Sequence, residues 1–392
     1  MPRILRIAIT ALAAMSAIYA AVDVWRQNEE AAGLDFYIYF VAAQLAGRAD
    51  VENIYGAEVQ ERVGEEYFER AQRSGSALRK YDAGRRRRLD LVSSPFLFST
   101  LRWVSRDYDR ALTQYHALVL ACFIGGVLLM CRTVGVPWWA ALFLLAGLLL
   151  WYRGFEADLR VGNVNSIQLL AVAIAVRFAR IRWIVFGLLI ASKPNLLFVP
   201  LLFLIAERHR WRANLLQGAI GGAIAFVVAS ISYGSPRVWL QWVSAANAFY
   251  HRLPTRMERN VTPALALFQE YGEWISYAIA AVLLALVIVR MKRHDAPLLA
   301  GLGILVYLLS ANVVWLHYMV LVIPIAVALL RWKATAVVAI AALLLIAEEP
   351  YEWIARRAAA DVEVWLIAPA IAALFACGVW KLSHRDEAAA AR

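Results

Sequence analysis

The chain has 392 residues, of which 62% are hydrophobic and 18% charged, and its formal net charge is +11. So high an apolar share and so low a charged share exclude a string of soluble domains and point to one polytopic membrane protein. No zinc-finger, helix-turn-helix or RNA-binding pattern accompanies the positive charge, so no nucleic-acid partner is expected, and the Lys and Arg surplus is assigned to cytoplasmic loops.

The N-terminal stretch MPRILRIAITALAAMSAIYAAV has a basic start and an apolar run, Ile4 to Val22, long enough to span a bilayer. Because the chain continues as a multispan protein, it reads as an uncleaved first helix rather than a signal peptide. Next comes GLDFYIYFVAAQLAGRADVENIYG, residues 33–56. It sets one carboxylate, Asp35, before an aromatic helix over 36–46 that is too polar and short to span. The aromatic residues suit the headgroup layer, so an interfacial helix is expected. Asp35 has two readings: an N-cap for that helix, or a general base that takes a proton from a hydroxyl. All of 23–111 is read as a long outer segment with interfacial helices. It contains the basic run Arg85 to Arg88, read as a solvated or headgroup-facing surface, and the apolar LVSSPFLFSTL at 91–101.

Apolar runs predict further helices at about 112–131, 137–152, 164–178, 182–192, 195–206, 213–233, 275–290, 296–311, 317–330, 334–347 and 364–381, making twelve with the first. The central RWIVFGLLIASKPNLLFVPLLFLIA is either one span or a hairpin at Lys193-Pro194. Charge decides between them. With Arg3 and Arg6 inside and a turn at Lys193-Pro194, the cytoplasmic connections hold Arg132, Arg177, Arg180, Arg182, Arg208, Arg210, Arg212, Arg290, Lys292, Arg293, Arg331, Lys333, Lys381 and Arg385. The short outer connections carry only Arg153, Arg160, Lys193, Arg356 and Arg357. One straight span would turn ERHRWR outward and invert every later loop. Each hairpin arm is ~16–18 Å long, about half the hydrocarbon core. Its turn therefore ends at membrane depth, which is tolerated only where it lines a wet, protein-walled cavity. The expected fold class is thus an all-α polytopic membrane protein, one multispan domain over 1–392. It has about twelve membrane helices, a short re-entrant-like hairpin, and a second outer segment at 234–274.

With this topology the unusual polar residues gather on the outer side: Asp35, YRGFEADLRVGNVN (152–165), SKPN (192–195), RMERNVTP (256–263) and NVVWLHY (312–318). Polar groups near lipid are costly and usually functional. Arg153 and Arg160 either anchor helix ends at headgroups or hold phosphate in guanidinium forks. Asn163 and Asn165 either cap a helix or hydrogen-bond sugar hydroxyls. Lys193 needs an anionic partner at that depth; a bound phosphate is favoured over a structural carboxylate such as Glu156. His317, beside Trp315 and Tyr318, packs or binds sugar or phosphate, and His116 packs within its helix. A single acid suits a one-step displacement with inversion, while Glu156 and Asp158 leave a second acid open. Cys122, Cys131 and Cys377 read as small core residues. No Walker loop, metal-binding acid pair or zinc-protease motif occurs, so no metal or other cofactor is expected.

In their order and spacing, DFYIYFVAAQLAGRADVENIYG, LVSSPFLFSTL, VGNVNSIQLLAVAIA, GLLIASKPNLLFVPLLFLIAERHRWR and WLHYMVLVIPIAVALL resemble the polyprenol-phosphate-sugar-dependent enzymes of glycosyltransferase family 87, in the C-type multispan superfamily. The resemblance runs over roughly residues 4–330. It implies a metal-independent, inverting mannosyltransferase-like enzyme of the bacterial plasma membrane, with cytoplasmic termini and an extracytoplasmic site. Its partners would be membrane lipids, a polyprenyl-phosphate-sugar donor, and a glycolipid or polysaccharide acceptor. The family's proposed base corresponds to Asp35 and its lysine-proline hairpin to Lys193 and Pro194. This chain has Asn163 where glutamine is usual and Ser94-Pro95 where two prolines are. ERHRWR matches a family feature with no evident chemistry. Two other readings fit the same features: a ligase or polymerase moving a lipid-linked glycan, and a transporter. The transporter reading would call for an inverted repeat, and none is visible.

Overall fold

The computed structural model describes residues 2–29, 31–250, 260–262, 273–347 and 362–384. These residues are helical with no strand among them, as expected where lipid leaves the backbone to satisfy its own hydrogen bonds. α1 (Arg3–Gln27) is followed by α2 (Leu34–Leu45), α3 (Ala57–Gln72), α4 (Ala77–Arg85) and α5 (Pro95–Thr100). Then come α6 (Tyr108–Thr133), α7 (Trp138–Trp151), α8 (Arg153–Val161), α9 (Asn165–Arg177), α10 (Arg182–Ser192), α11 (Phe198–Ala206) and α12 (Trp211–Ser232). α13 (Arg237–Tyr250), α14 (Glu273–Arg290), α15 (Ala296–Ser310), α16 (Ile323–Leu329), α17 (Lys333–Leu345) and α18 (Val362–Ser383) follow. The helices expected from hydropathy are present with ends shifted by a few residues, except that the first half of the one expected at 317–330 is a 3₁₀ stretch, Leu316–Val322, leading into α16. Arg256 and the other residues of 256–259, with Arg356, Arg357 and Arg385, lie outside the described residues.

Among the described residues four stretches are each long and apolar enough to cross a membrane: α1, α6, Arg208–Ser232 and Leu366–Ser383. α8 and α9 meet at 117°, and counting them as one broken span gives a fifth. α1 leaves Ile4, Leu5, Ile7, Leu12, Met15 and Ile18 exposed, and α12 leaves Leu216, Val227 and Ile231 exposed, as lipid-facing surfaces do. α15 is buried from Pro297 to Ile304 and is the centre of the core.

α10 folds back onto α11. Pro194 cannot continue the hydrogen-bond ladder of α10, which ends at Ser192; Lys193 is extended and a 3₁₀ turn covers Pro194–Leu196. The far ends then meet: Arg182 pairs with Glu207, Trp183 Nε1 donates to Glu207 at 3.2 Å, and the Phe186 and Phe203 rings are 5.3 Å apart. α12 presses close against α10, since a Cβ on Gly187 would collide with the Gly218 carbonyl and one on Gly221 with that of Ile184. Small residues permit such approach where lipid supplies no hydrophobic drive.

α2 is covered by protein: Phe36, Tyr37, Tyr39 and Phe40 are all buried, packed with Phe98, Tyr108 and Tyr115. LDFYIYFVAAQL is apolar on nearly every face, and such a helix is enclosed rather than laid on a surface.

Candidate functional site

Asp35 is the second residue of α2. The helix is capped at Gly33, and no side chain makes a cap bond there, which corrects the N-cap reading. Two glycines set its position. Gly33 gives its N–H to Asp82 at 3.2 Å and leaves no room for a side chain against Leu112. Gly162 ends α8 in the left-handed region (φ 68°), and a Cβ there would lie 2.6 Å from that of Phe36. The Asp35 side chain is 20% exposed. Arg86 Nη2 donates to its Oδ1 at 2.9 Å, and Arg86 Nε donates to the Leu34 carbonyl at 3.2 Å. Asn163 Nδ2 donates to Oδ2 at 2.7 Å. The basic run is therefore not all solvated: Arg86 turns inward to the acid.

Asn163 joins Asp35 to the hairpin. Its Oδ1 accepts from the Val164 N–H at 2.7 Å and from Lys193 Nζ at 3.2 Å, while its carbonyl accepts from the buried Tyr115 hydroxyl at 2.9 Å. A carboxylate only accepts and an ammonium only donates, so this amide orientation is the one the neighbours demand. The ammonium of Lys193 also sits over the Tyr318 ring, 4.7 Å from its centroid. The hairpin turn is tied down on two sides. Ser94, which caps α5, donates to the Ser192 carbonyl at 2.8 Å, and Gln168 of α9 donates to Asn195 at 2.7 Å.

His317 stacks on Tyr318 with centroids 4.8 Å apart, so it belongs to the same wall. Its Nε2 is buried with no hydrogen-bond partner among the described residues. Asn165 lies in the supporting layer. It is fully buried and donates to Asp158 at 2.9 Å and to the His317 carbonyl at 3.2 Å. Asp158, also buried, accepts from the Ser166 N–H and hydroxyl at 3.0 and 2.6 Å, and so holds the start of α9. Arg153 and Arg160 both pair with Glu156 along α8, the latter at 3.2 Å.

The structure thus brings Asp35, Asn163, Lys193 and, through Tyr318, His317 to one place. Arg153 and Arg160 are joined through Glu156 along α8. Sequence reasoning missed Arg86, Ser94 and Gln168 as partners of this centre. Ser94-Pro95 carried a local signal, a helix cap followed by proline; nothing local distinguishes Arg86 from its neighbours. Among the described residues no group of three His, Cys, Asp or Glu is placed to hold a metal ion. Chemically, the cluster offers a proton acceptor and a fixed cation on opposite sides of one amide.

A family description, glycosyltransferase family 87, matches residues 93–316, more than half of the chain. No curated protein and no solved structure gave a match to it.

Proposed function

The chain belongs to glycosyltransferase family 87 and is a glycosyltransferase, and on that premise we propose a specific reaction for it. It is an integral-membrane enzyme of C-type fold, one domain over 1–392. It moves a hexose, mannose, from a polyprenyl-phosphate-sugar to a glycolipid or polysaccharide acceptor on the extracytoplasmic face. The bias of Lys and Arg between alternate loops supports that sidedness.

One observation carries the reading: Asp35 and Lys193 are held apart by Asn163, 2.7 and 3.2 Å from its two ends. The amide sets a base and a cation at its two ends, and Asp35 keeps lone pairs for a proton beside the bonds from Asn163 and Arg86. In the proposed step the acceptor hydroxyl loses its proton to Asp35 as its oxygen bonds to the anomeric carbon. The bond from that carbon to the phosphate oxygen breaks, and the charge left on polyprenyl phosphate is stabilised by Lys193. His317, on the same wall, faces the sugar or phosphate. Attack opposite the leaving group inverts the carbon in one step, with no second acid. Glu156, between two arginines, is a structural anion here, and Arg153 and Arg160 act on the donor only if they release it.

The test is to incubate the purified protein with polyprenyl-phosphate-mannose and a lipid extract and to follow polyprenyl phosphate release. Release that needs Asp35 is expected. Transfer of a whole glycan with no use of the monosaccharide donor would replace this reading by a ligase, and no turnover of either would sink both.

A further inference from the structure

We infer that the face of α2 turned away from Asp35 carries a separate phosphate-binding site, filled by the headgroup of an anionic phospholipid. At 3.6 residues per turn, Phe40 and Gln44 lie roughly opposite Asp35 on the helix. They line a cavity of about 460 Å³ with Tyr67 and four arginines: Arg48, Arg70, Arg79 and Arg106. These cations come from four places: the turn after α2, α3, α4 and the residues before α6. Nearby acids offset only part of the charge. Glu66 pairs with Arg48 at 3.0 Å and Arg70 at 2.5 Å, and Asp50 pairs with Arg48 at 2.7 Å and Arg62 at 3.0 Å. Arg79 Nε is buried with no hydrogen-bond partner among the described residues. Leaving such a donor unmet is costly, and a phosphate oxygen is the acceptor that several converging guanidinium forks would share.

Its height in the membrane points to lipid. Arg106 lies just ahead of α6, whose 26 residues are long and apolar enough to cross. At 1.5 Å per residue that helix is ~39 Å long, against about 30 Å of hydrocarbon, so its first turn stands among headgroups. Trp103, in the same connection, is 56% exposed, as an interfacial anchor would be.

The test uses the full chain in nanodiscs of phosphatidylcholine, with or without phosphatidylglycerol. Native mass spectrometry reads retained lipid, and a thermal melt reads stabilisation. Wild type is expected to retain phosphatidylglycerol and melt higher with it. The variant Arg70→Gln/Arg106→Gln is expected to melt like wild type in phosphatidylcholine alone. It should bind the anionic lipid about tenfold more weakly for each charge-assisted hydrogen bond lost. Should it melt early, Arg106→Gln alone, at an exposed position, takes its place. Equal retention by variant and wild type overturns the site. So does an equal loss in Arg85→Gln/Arg88→Gln, exposed arginines outside the cavity, because diffuse charge would then explain the binding. Stabilisation by added inorganic phosphate but not by phosphatidylglycerol overturns the lipid as its source. None of these readouts involves a sugar donor, so they stand or fall apart from the transferase reading.

Discussion

Asn163 donates to Asp35 at 2.7 Å although 128 positions separate them in the chain. Together with Arg86 on the other oxygen, it fixes the plane of the carboxylate while leaving lone pairs for a further proton, since two oxygens offer about four acceptor sites.

Asp35→Asn keeps the shape of the side chain but removes the proposed base. Release of polyprenyl phosphate is expected to fall about 10²–10⁴-fold, with the melting temperature near that of wild type. A folded variant with wild-type turnover would sink the assignment.

Lys193→Ala removes the cation proposed to face the donor phosphate. Apparent donor affinity is expected to weaken by roughly tenfold or more, and Lys193→Arg should recover part of it. Unchanged donor binding in the alanine variant, read by competition with a non-hydrolysable analogue, would take Lys193 out of the phosphate site.

Arg86 touches Asp35, and in the proposed scheme it does not touch the donor. Arg86→Gln is therefore expected to lower kcat about tenfold, the worth of one charge-assisted hydrogen bond, at an unchanged KM for donor. Arg86→Lys should restore part of the rate. A shift in KM with kcat intact would place Arg86 on substrate instead.

Gly162 and Gly135 both have positive φ, 68° and 80°, but only Gly162 faces another residue where a Cβ would be, while Gly135 faces open space. Gly135→Ala is expected to cost only the left-handed penalty, about 1–2 kcal/mol. Gly162→Ala must also move Phe36, and so should lower the melting temperature further and reduce activity through Asn163. Equal effects at the two positions would refute the role given to the Phe36 contact.

Asp82, in α4, is buried against the Tyr108 hydroxyl and the Gly33 N–H. Burial raises its pKa above the usual carboxylate range, its hydrogen bonds opposing that only in part. The folded state then holds this proton more tightly than the unfolded chain, so stability declines as pH rises past the unfolded value of about 4 and through the raised folded value. Melting curves of wild type against Asp82→Asn over that window should show wild type losing ground with pH. A difference independent of pH would contradict the raised value.

Much of the fold is legible in the amino-acid order alone, because hydropathy and charge are written residue by residue. A run such as Trp138 to Trp151 must hide its backbone in a helix wherever it lies, and Pro194 must break one. The loop arginines chose a hairpin at Lys193 over a straight span, and the Arg182–Glu207 pair shows the two arms meeting. The same local logic did not show what covers α2: its aromatic residues suit a headgroup layer and a protein core equally well, and only the fold packs α4, α5, α6 and α8 around it.

Asp35, Asn163, Lys193 and His317 were each visible as polar groups at the ends of apolar runs, and the cost of such groups near lipid singled them out. That Asn163 bridges acid and lysine, that Asn165 serves Asp158 instead, and that Arg86 alone of four successive arginines turns inward were decided by packing. Those contacts join residues 7 to 128 positions apart. Composition carries no trace of them, because hydrogen-bond partners are chosen by where folded helices meet and not by neighbours along the chain.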